Sequence, residues 1–369
     1  MTTIGQETVP TSDVAYRNFV GTCRSPSTRY LYKKALEYFL SYLRLGSQDY
    51  FRLLEIDART TQMNICGYIS YLRNQKGLAS GSVAVYISAV RKFYVMNDVQ
   101  LNWEKIHSFK GEEEKRADDR PYNHFEILTM LQKTTPRNRC MVLLMCSGGL
   151  RVGSLPGLRV KDLESVDKYN IYKVSVYANS KKSSYYSFVT PECRKELDFY
   201  LEWRKRMGER IKPESPLFRR EFGSLQIQQP KSLTRSGIRF LINSLLKNTG
   251  IRPAVPSTES QKHCRYHIMQ CHGMRKFFET NAAKAGMDLI YIRRLMGQDI
   301  GLEDSYLKLS EEELLEGDDR HVGYIGIIDQ LTIDESQRLK RRVQELTVKA
   351  DKVDELSADF AALKQKLGL

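Results

Sequence analysis

Apolar residues along this chain change spacing from one stretch to the next. Between Ser27 and Leu45 they recur at Tyr30, Leu31, Ala35, Tyr38, Phe39 and Tyr42. That is the spacing of one helical face, with Pro26 at the start and Gly46 as the stop. A second helix is predicted from Thr61 to Asn74. A third runs from Ser80 to Met96, with Val83, Ile87, Val90 and Tyr94 on one stripe. The first ten or so residues are polar and read as loose. Residues 1–110 are thus expected to form a small all-helical domain of three or four short helices.

From Gly111 to Pro121 the only apolar side chain before the proline is Ala117, which predicts a hinge. Beyond it, Phe125–Leu131 and the strongly apolar Arg139–Ser147 read as helices, the latter broken by Gly148 and Gly149. Ile171–Tyr177 and Tyr185–Thr190 are β-branched and aromatic, hence strand-like. Asn179–Ser184 between them is a turn-rich tip carrying Lys181 and Lys182. Helical spacing returns over Glu192–Met207, Leu233–Leu246, Gly273–Ala285 and Leu289–Met296, with a loop over Pro253–His263. The fold class expected is mainly α with a small antiparallel β-sheet, in a domain spanning 122–330.

The segment 331–369 differs in kind. Leu339, Val343, Leu346, Ala350, Val353, Leu356, Phe360, Leu363 and Leu367 step by 4, 3, 4, 3, 3, 4, 3 and 4, a heptad-like seam with one phase break at Val353–Leu356. It predicts a long helix, either a short coiled coil between subunits or an amphipathic helix folded onto its own domain.

Charge sharpens this division. The 369 residues carry 58 Lys and Arg against 44 Asp and Glu, a net of +14. Residues 1–110 hold 14 basic and 8 acidic side chains, residues 111–305 hold 34 and 22, and residues 306–369 hold 10 and 14. The body is basic and the tail acidic, so a polyanionic partner would be bound by the body in a strongly salt-dependent way. No stretch of eighteen apolar residues and no leader pattern appear, so no membrane role is expected. Seven cysteines without paired short spacing suit a reducing, cytoplasmic setting.

Two arginines carry the candidate chemistry. Arg151 follows Ser147-Gly-Gly-Leu150 at the end of the apolar helix, and Arg275 lies in His272-Gly-Met-Arg275, where i,i+3 spacing puts both side chains on one face. Singly, a surface arginine and a partly buried histidine bonded to backbone are the plainer readings of these residues. Together, two guanidinium forks match the charge of a phosphoryl-transfer transition state without a metal. His263, Cys264, His267 and Cys271 fall close together, but their spacing fits no zinc site and packing accounts for them. No metal and no cofactor are expected.

Cys146-Ser-Gly-Gly-Leu-Arg-Val-Gly-Ser-Leu-Pro-Gly-Leu-Arg-Val-Lys-Asp-Leu163 resembles the first arginine box of the tyrosine recombinase, or phage integrase, family. His272-Gly-Met-Arg-Lys-Phe-Phe278, Leu295-Met-Gly-Gln298 and Asp304-Ser-Tyr306 resemble the second box in order and spacing. The wording is most like that of integrases of archaeal mobile elements. The resemblance covers residues 118–310, and the N-terminal helical domain by architecture only.

It implies a clamp on double-stranded DNA at a specific attachment site, with a core-binding domain over 1–110, a linker over 111–121 and the catalytic domain over 122–330. Tyr306 would be the nucleophile, forming a 3′-phosphotyrosine, with Arg151 and Arg275 neutralising the transition state and His272 moving the phenol proton. Lys182, favoured by counting back from the following strand, or Lys181 would protonate the leaving 5′-oxygen. Gln298 stands where many members have a second histidine or a tryptophan, and can donate a hydrogen bond but not hold a proton. Ser154 replaces the usual acidic residue three positions after the first arginine. The implied function is integration and excision of a mobile element by a homo-oligomer, a tetrameric synapse on DNA, with Leu307–Gly326 placed to reach a neighbour. A topoisomerase-like strand transferase and a non-catalytic architectural DNA-binding protein are the alternatives.

Overall fold

A computed structural model describes residues 11–23, 25–111, 119–178, 183–221, 227–252, 268–299 and 309–343, with short stretches to 356. The chain divides into two compact units, one comprising the described residues to 111 and the other those from 119 onward. The architecture is mainly helical with one small antiparallel sheet.

The described part of the first unit holds α1 (Thr11–Gly21), α2 (Pro26–Tyr42), α3 (Arg52–Glu55), α4 (Ala58–Ser70), α5 (Ser80–Met96) and α6 (Trp103–Ser108), with a π turn over Tyr71–Gln75. That is more helices than the three or four expected. α1 lies in a stretch with few apolar residues, of which Ala15 and Phe19 are buried. Ser25 caps α2 by accepting from the Thr28 N–H, with Pro26 in the first turn. The stripe of α5 is as predicted: Val83, Ile87, Val90 and Tyr94 are buried, joined by Ala89 and Phe93. Fully burying one such large apolar side chain contributes about 1.5–3 kcal/mol. The stripe of α2 is as predicted only at Ala35 and Phe39. Ala35, Leu36, Phe39 and Leu40 face inward, while Tyr30, Leu31 and Tyr38 are exposed. The aromatic rings suggested a face that the aliphatic pair Leu36 and Leu40 actually sets.

In the second unit α7 (His124–Gln132) starts at a capping box formed by Asn123 and Glu126. α8 (Pro136–Ser147) buries nearly every side chain, polar Arg137 and Asn138 included, and serves as the central helix. Around it pack α9 (Pro191–Arg206), α11 (Gln270–Lys284) and the later helix α14 (Tyr324–Leu331). α10 (Arg235–Asn248), α12 (Leu289–Leu295) and α13 (Glu311–Glu316) are further helices of this unit. The sheet runs β1 (Leu163–Val166), β2 (Ile171–Val176) and β3 (Tyr185–Val189), antiparallel throughout, with Leu163 opposite Val174 and Val176 opposite Tyr185. The first strand was not anticipated.

Two details bear on earlier expectations. Asp119, in the expected hinge, already belongs to the second unit, accepting from Lys276 Nζ at 2.6 Å. Of Leu307–Gly326, expected to reach a neighbour, the described residues 309–326 fold onto their own unit together with 327–331. Leu314, Leu315, Ile327 and Ile328 enter its core, and the buried Tyr324 hydroxyl donates to the Ser147 carbonyl at 2.9 Å. After a turn at 332–334 the chain is helical again from 335, where Leu339, Val343, Leu346, Val353 and Leu356 are all more than half exposed. Among the described residues no helix is long and apolar enough to cross a membrane.

Candidate active site

The end of α8 shapes the first wall of the site. Gly149 adopts φ +61°, and a side chain there would press into the Phe278 ring at 2.6 Å. Only glycine meets both demands. The reversal it allows buries Leu150 and presents Arg151 to solvent. Ser154, which stands where an acidic residue was expected, is buried and donates its hydroxyl to the Arg151 carbonyl at 2.7 Å, while its N–H reaches the same oxygen at 2.9 Å. A compact serine turn thus steadies the backbone of this arginine.

α11 supplies the second wall. Gly273 is needed because a Cβ would meet the Tyr122 ring at 2.8 Å, and the Tyr122 hydroxyl donates to the Gln270 carbonyl. This close approach seats the first turn of α11, so that His272 is exposed while Arg275, one turn along, is buried. Arg275 donates to the carbonyls of Gly149 and Met296, the latter at 2.7 Å. Burial and the neighbouring Arg151 guanidinium push Arg275 down to about 10, which leaves it charged at neutral pH.

The third wall is the end of α12. The Gln298 N–H bonds the Arg293 carbonyl and the Gly297 N–H that of Arg294, with Gly297 at φ +58°: a Schellman turn. It aims the Gly297 carbonyl at Arg151 Nη1, 2.7 Å away, and sets Gln298 half-buried beside Met296, whose sulfur accepts from Gln298 Nε2 at 3.8 Å.

These walls enclose an open cleft of about 470 Å³. Arg151, His272, Arg275 and Gln298 all line it. They come from three separate stretches of sequence and share one concave surface with a strongly cationic lining. Lys181, Lys182 and Tyr306 lie outside the described residues, as do His263, Cys264 and His267. Two lining residues escaped sequence reasoning, Arg235 in the first turn of α10 and Tyr177 just past β2 in the left-handed region at φ 53°, and Cys271, read there as packing, also lines the cleft, its thiol pushed by burial up to about 11. Arg235 follows the N-cap Thr234, a helix-start signal that says nothing of where the side chain points. A bulky residue at positive φ is the more telling mark, but only the backbone reveals it.

An open cleft with charged arginine forks, a histidine and an amide donor is fitted to a phosphate group in transit between two oxygens. The phage integrase family model matches residues 122–311, more than half of the chain. The chain belongs to that family, the tyrosine recombinases, which are enzymes of DNA recombination. It is similar to the tyrosine recombinase XerD of Oceanobacillus iheyensis, 22% identical over 303 residues that cover 79% of this chain and 90% of that protein. It is also similar to XerC of Staphylococcus haemolyticus, 25% identical over 264 residues covering 67% and 76%. Among solved structures, the Tn1549 transposon integrase in complex with circular intermediate DNA is alike in fold, with a TM-score of 0.50 and 15% identity over 81% of this chain and 96% of that one.

Proposed function

We propose that this chain is a site-specific DNA recombinase of a mobile element, cleaving and rejoining duplex DNA through a 3′-phosphotyrosine at Tyr306. The observation that carries the reading is the convergence of Arg151, His272, Arg275 and Gln298 on one cleft. In this reading the Tyr306 oxygen attacks the scissile phosphorus and the 5′-oxygen leaves with a proton from Lys182 or Lys181. Arg151 and Arg275 take the charge on the non-bridging oxygens, His272 receives the phenol proton, and Gln298 donates a hydrogen bond to a phosphate oxygen. The phosphoester bond is conserved in the protein–DNA link, so rejoining needs no nucleotide cofactor. Duplex binding is supported by the basic body of the chain and by the DNA-bound state of the Tn1549 integrase. Each protomer offers one Tyr306 and recombining two duplexes takes four cleavages, which calls for a tetrameric synapse. The exposed seam from Leu339 to Leu356 supports a coiled-coil contact between subunits.

The test is incubation with a nicked suicide duplex built on the element's attachment sequence, followed by denaturing electrophoresis. The wild-type protein should give a denaturation-resistant protein–DNA band. Tyr306→Phe should bind the duplex and give none. A band that survives Tyr306→Phe, or a wild-type protein that binds the site and never forms one, refutes the reading.

A further inference from the structure

Tyr185 opens β3, opposite Val176 in the last strand pair before the hairpin tip, and belongs to none of the recognised boxes. Two surfaces of it are engaged. Its ring fills the space beside Gly297, where any Cβ would overlap it, and meets the Tyr177 ring nearly edge-on at 6.3 Å. Gly297 is the residue whose carbonyl receives Arg151. The ring therefore backs the turn on which that arginine rests.

The hydroxyl is the unusual part. It is buried against the Ser154 hydroxyl and the guanidiniums of Arg151 and Arg275, in contact with Ser154 and Arg275 but with no well-formed hydrogen bond to any of them. A buried hydroxyl left unbonded is unfavourable and calls for an explanation. The well-formed bonds of these neighbours go elsewhere. Ser154 donates to the Arg151 carbonyl, Arg151 to Gly297, and Arg275 to Gly149 and Met296. Both arginines are thus held on backbone oxygens. A phosphate drawing on those N–H groups would redirect them past the Tyr185 oxygen.

Resting on the recombinase reading above, we propose that Tyr185 is a positioning residue for the arginine pair. Its hydroxyl accepts from Arg275 once a scissile phosphate occupies the cleft, and so fixes the guanidiniums against the developing charge. The two groups already meet in the free protein without a well-formed bond, and the bond is completed in the reacting complex.

Tyr185→Phe keeps the ring against Gly297 and removes only the oxygen. The melting temperature of the variant should equal or exceed that of the wild type, since nothing bonded is lost. Duplex affinity should stay unchanged. Single-turnover cleavage of a suicide duplex should fall about 10- to 100-fold, the worth of one hydrogen bond to a charged group. On a duplex with a methylphosphonate at the scissile position, which lacks the charged non-bridging oxygen, the deficit should shrink to less than about threefold, because less charge is left for the arginines to meet. Full cleavage by Tyr185→Phe, an equal deficit on both duplexes, or a lowered melting temperature would overturn the proposal. A wild-type protein that forms no adduct on the suicide duplex would overturn the recombinase reading and this proposal with it, an outcome distinct from a reactive wild type matched by its variant.

Discussion

Glu192, in the first turn of α9, is buried, and its carboxylate accepts the N–H groups of Ile333 at 2.8 Å and Asp334 at 3.1 Å, where the C-terminal helix begins. Burial pushes this carboxyl up to about 7. The two N–H bonds pull it down, and the nearby carboxylates of Asp334 and Glu196 push it up again. An acid raised on folding favours the native state most when protonated. That stability is fully present below the unfolded value near 4.5 and is lost as pH rises through about 7. The whole excursion is worth about 3 kcal/mol, with a slope of about 1.4 kcal/mol per pH unit between the two values. Replacing Glu192 with Gln removes the titration, though the amide can accept only one of the two N–H groups. Urea unfolding of both proteins at half-unit steps from pH 5 to 8 isolates the effect, because every other titrating group cancels in the difference. The variant should lose its disadvantage steadily as pH rises, by about 2–3 kcal/mol between pH 5 and 7. A stability difference that stays constant across this range refutes the reasoning, and one that grows with pH reverses its sign.

Gly297→Ala should destabilise the second unit by more than about 2 kcal/mol, since the backbone is left-handed there and the methyl collides with Tyr185. Adduct formation should fall with it, and a variant that unfolds at the wild-type urea concentration contradicts the close contact. Removing residues 336–369 should leave half-site cleavage active and weaken strand exchange on paired duplexes. Equal loss of cleavage would mean that the helix supports its own catalytic unit instead.

Periodicity reached furthest where one aliphatic stripe decides a helix. α5 begins and ends where Val83 to Tyr94 predicted, because every stripe position is buried. It failed where burial is complete or minimal. α8 is packed on all sides, so its first turn, with buried Arg137 and Asn138, carries no apolar signal. β1 is four residues long, and its two central side chains, Glu164 and Ser165, face solvent. The motifs located four residues of the cleft, since arginine forks around a phosphate leave a fixed local wording. Arg235 and Tyr177 join the cleft only through tertiary approach, and no local pattern marks them. The role of Ser154 was likewise hidden, because a hydroxyl closing a turn on Arg151 does in the backbone what a carboxylate would do through charge.

The turn that ends α12 gives its Met296 carbonyl to Arg275 and its Gly297 carbonyl to Arg151. Two side chains 124 positions apart in sequence thus hang from adjacent peptide groups. Such an arrangement makes the pair heritable as a unit. A change anywhere in the seating of α12 shifts both guanidiniums in the same direction, and a change in one arginine leaves the other's anchor half relieved. Substitutions at 151, 275 and 297 should therefore combine far from additively. A lineage adapting this site to a new reaction geometry would have to move a helix rather than exchange single residues.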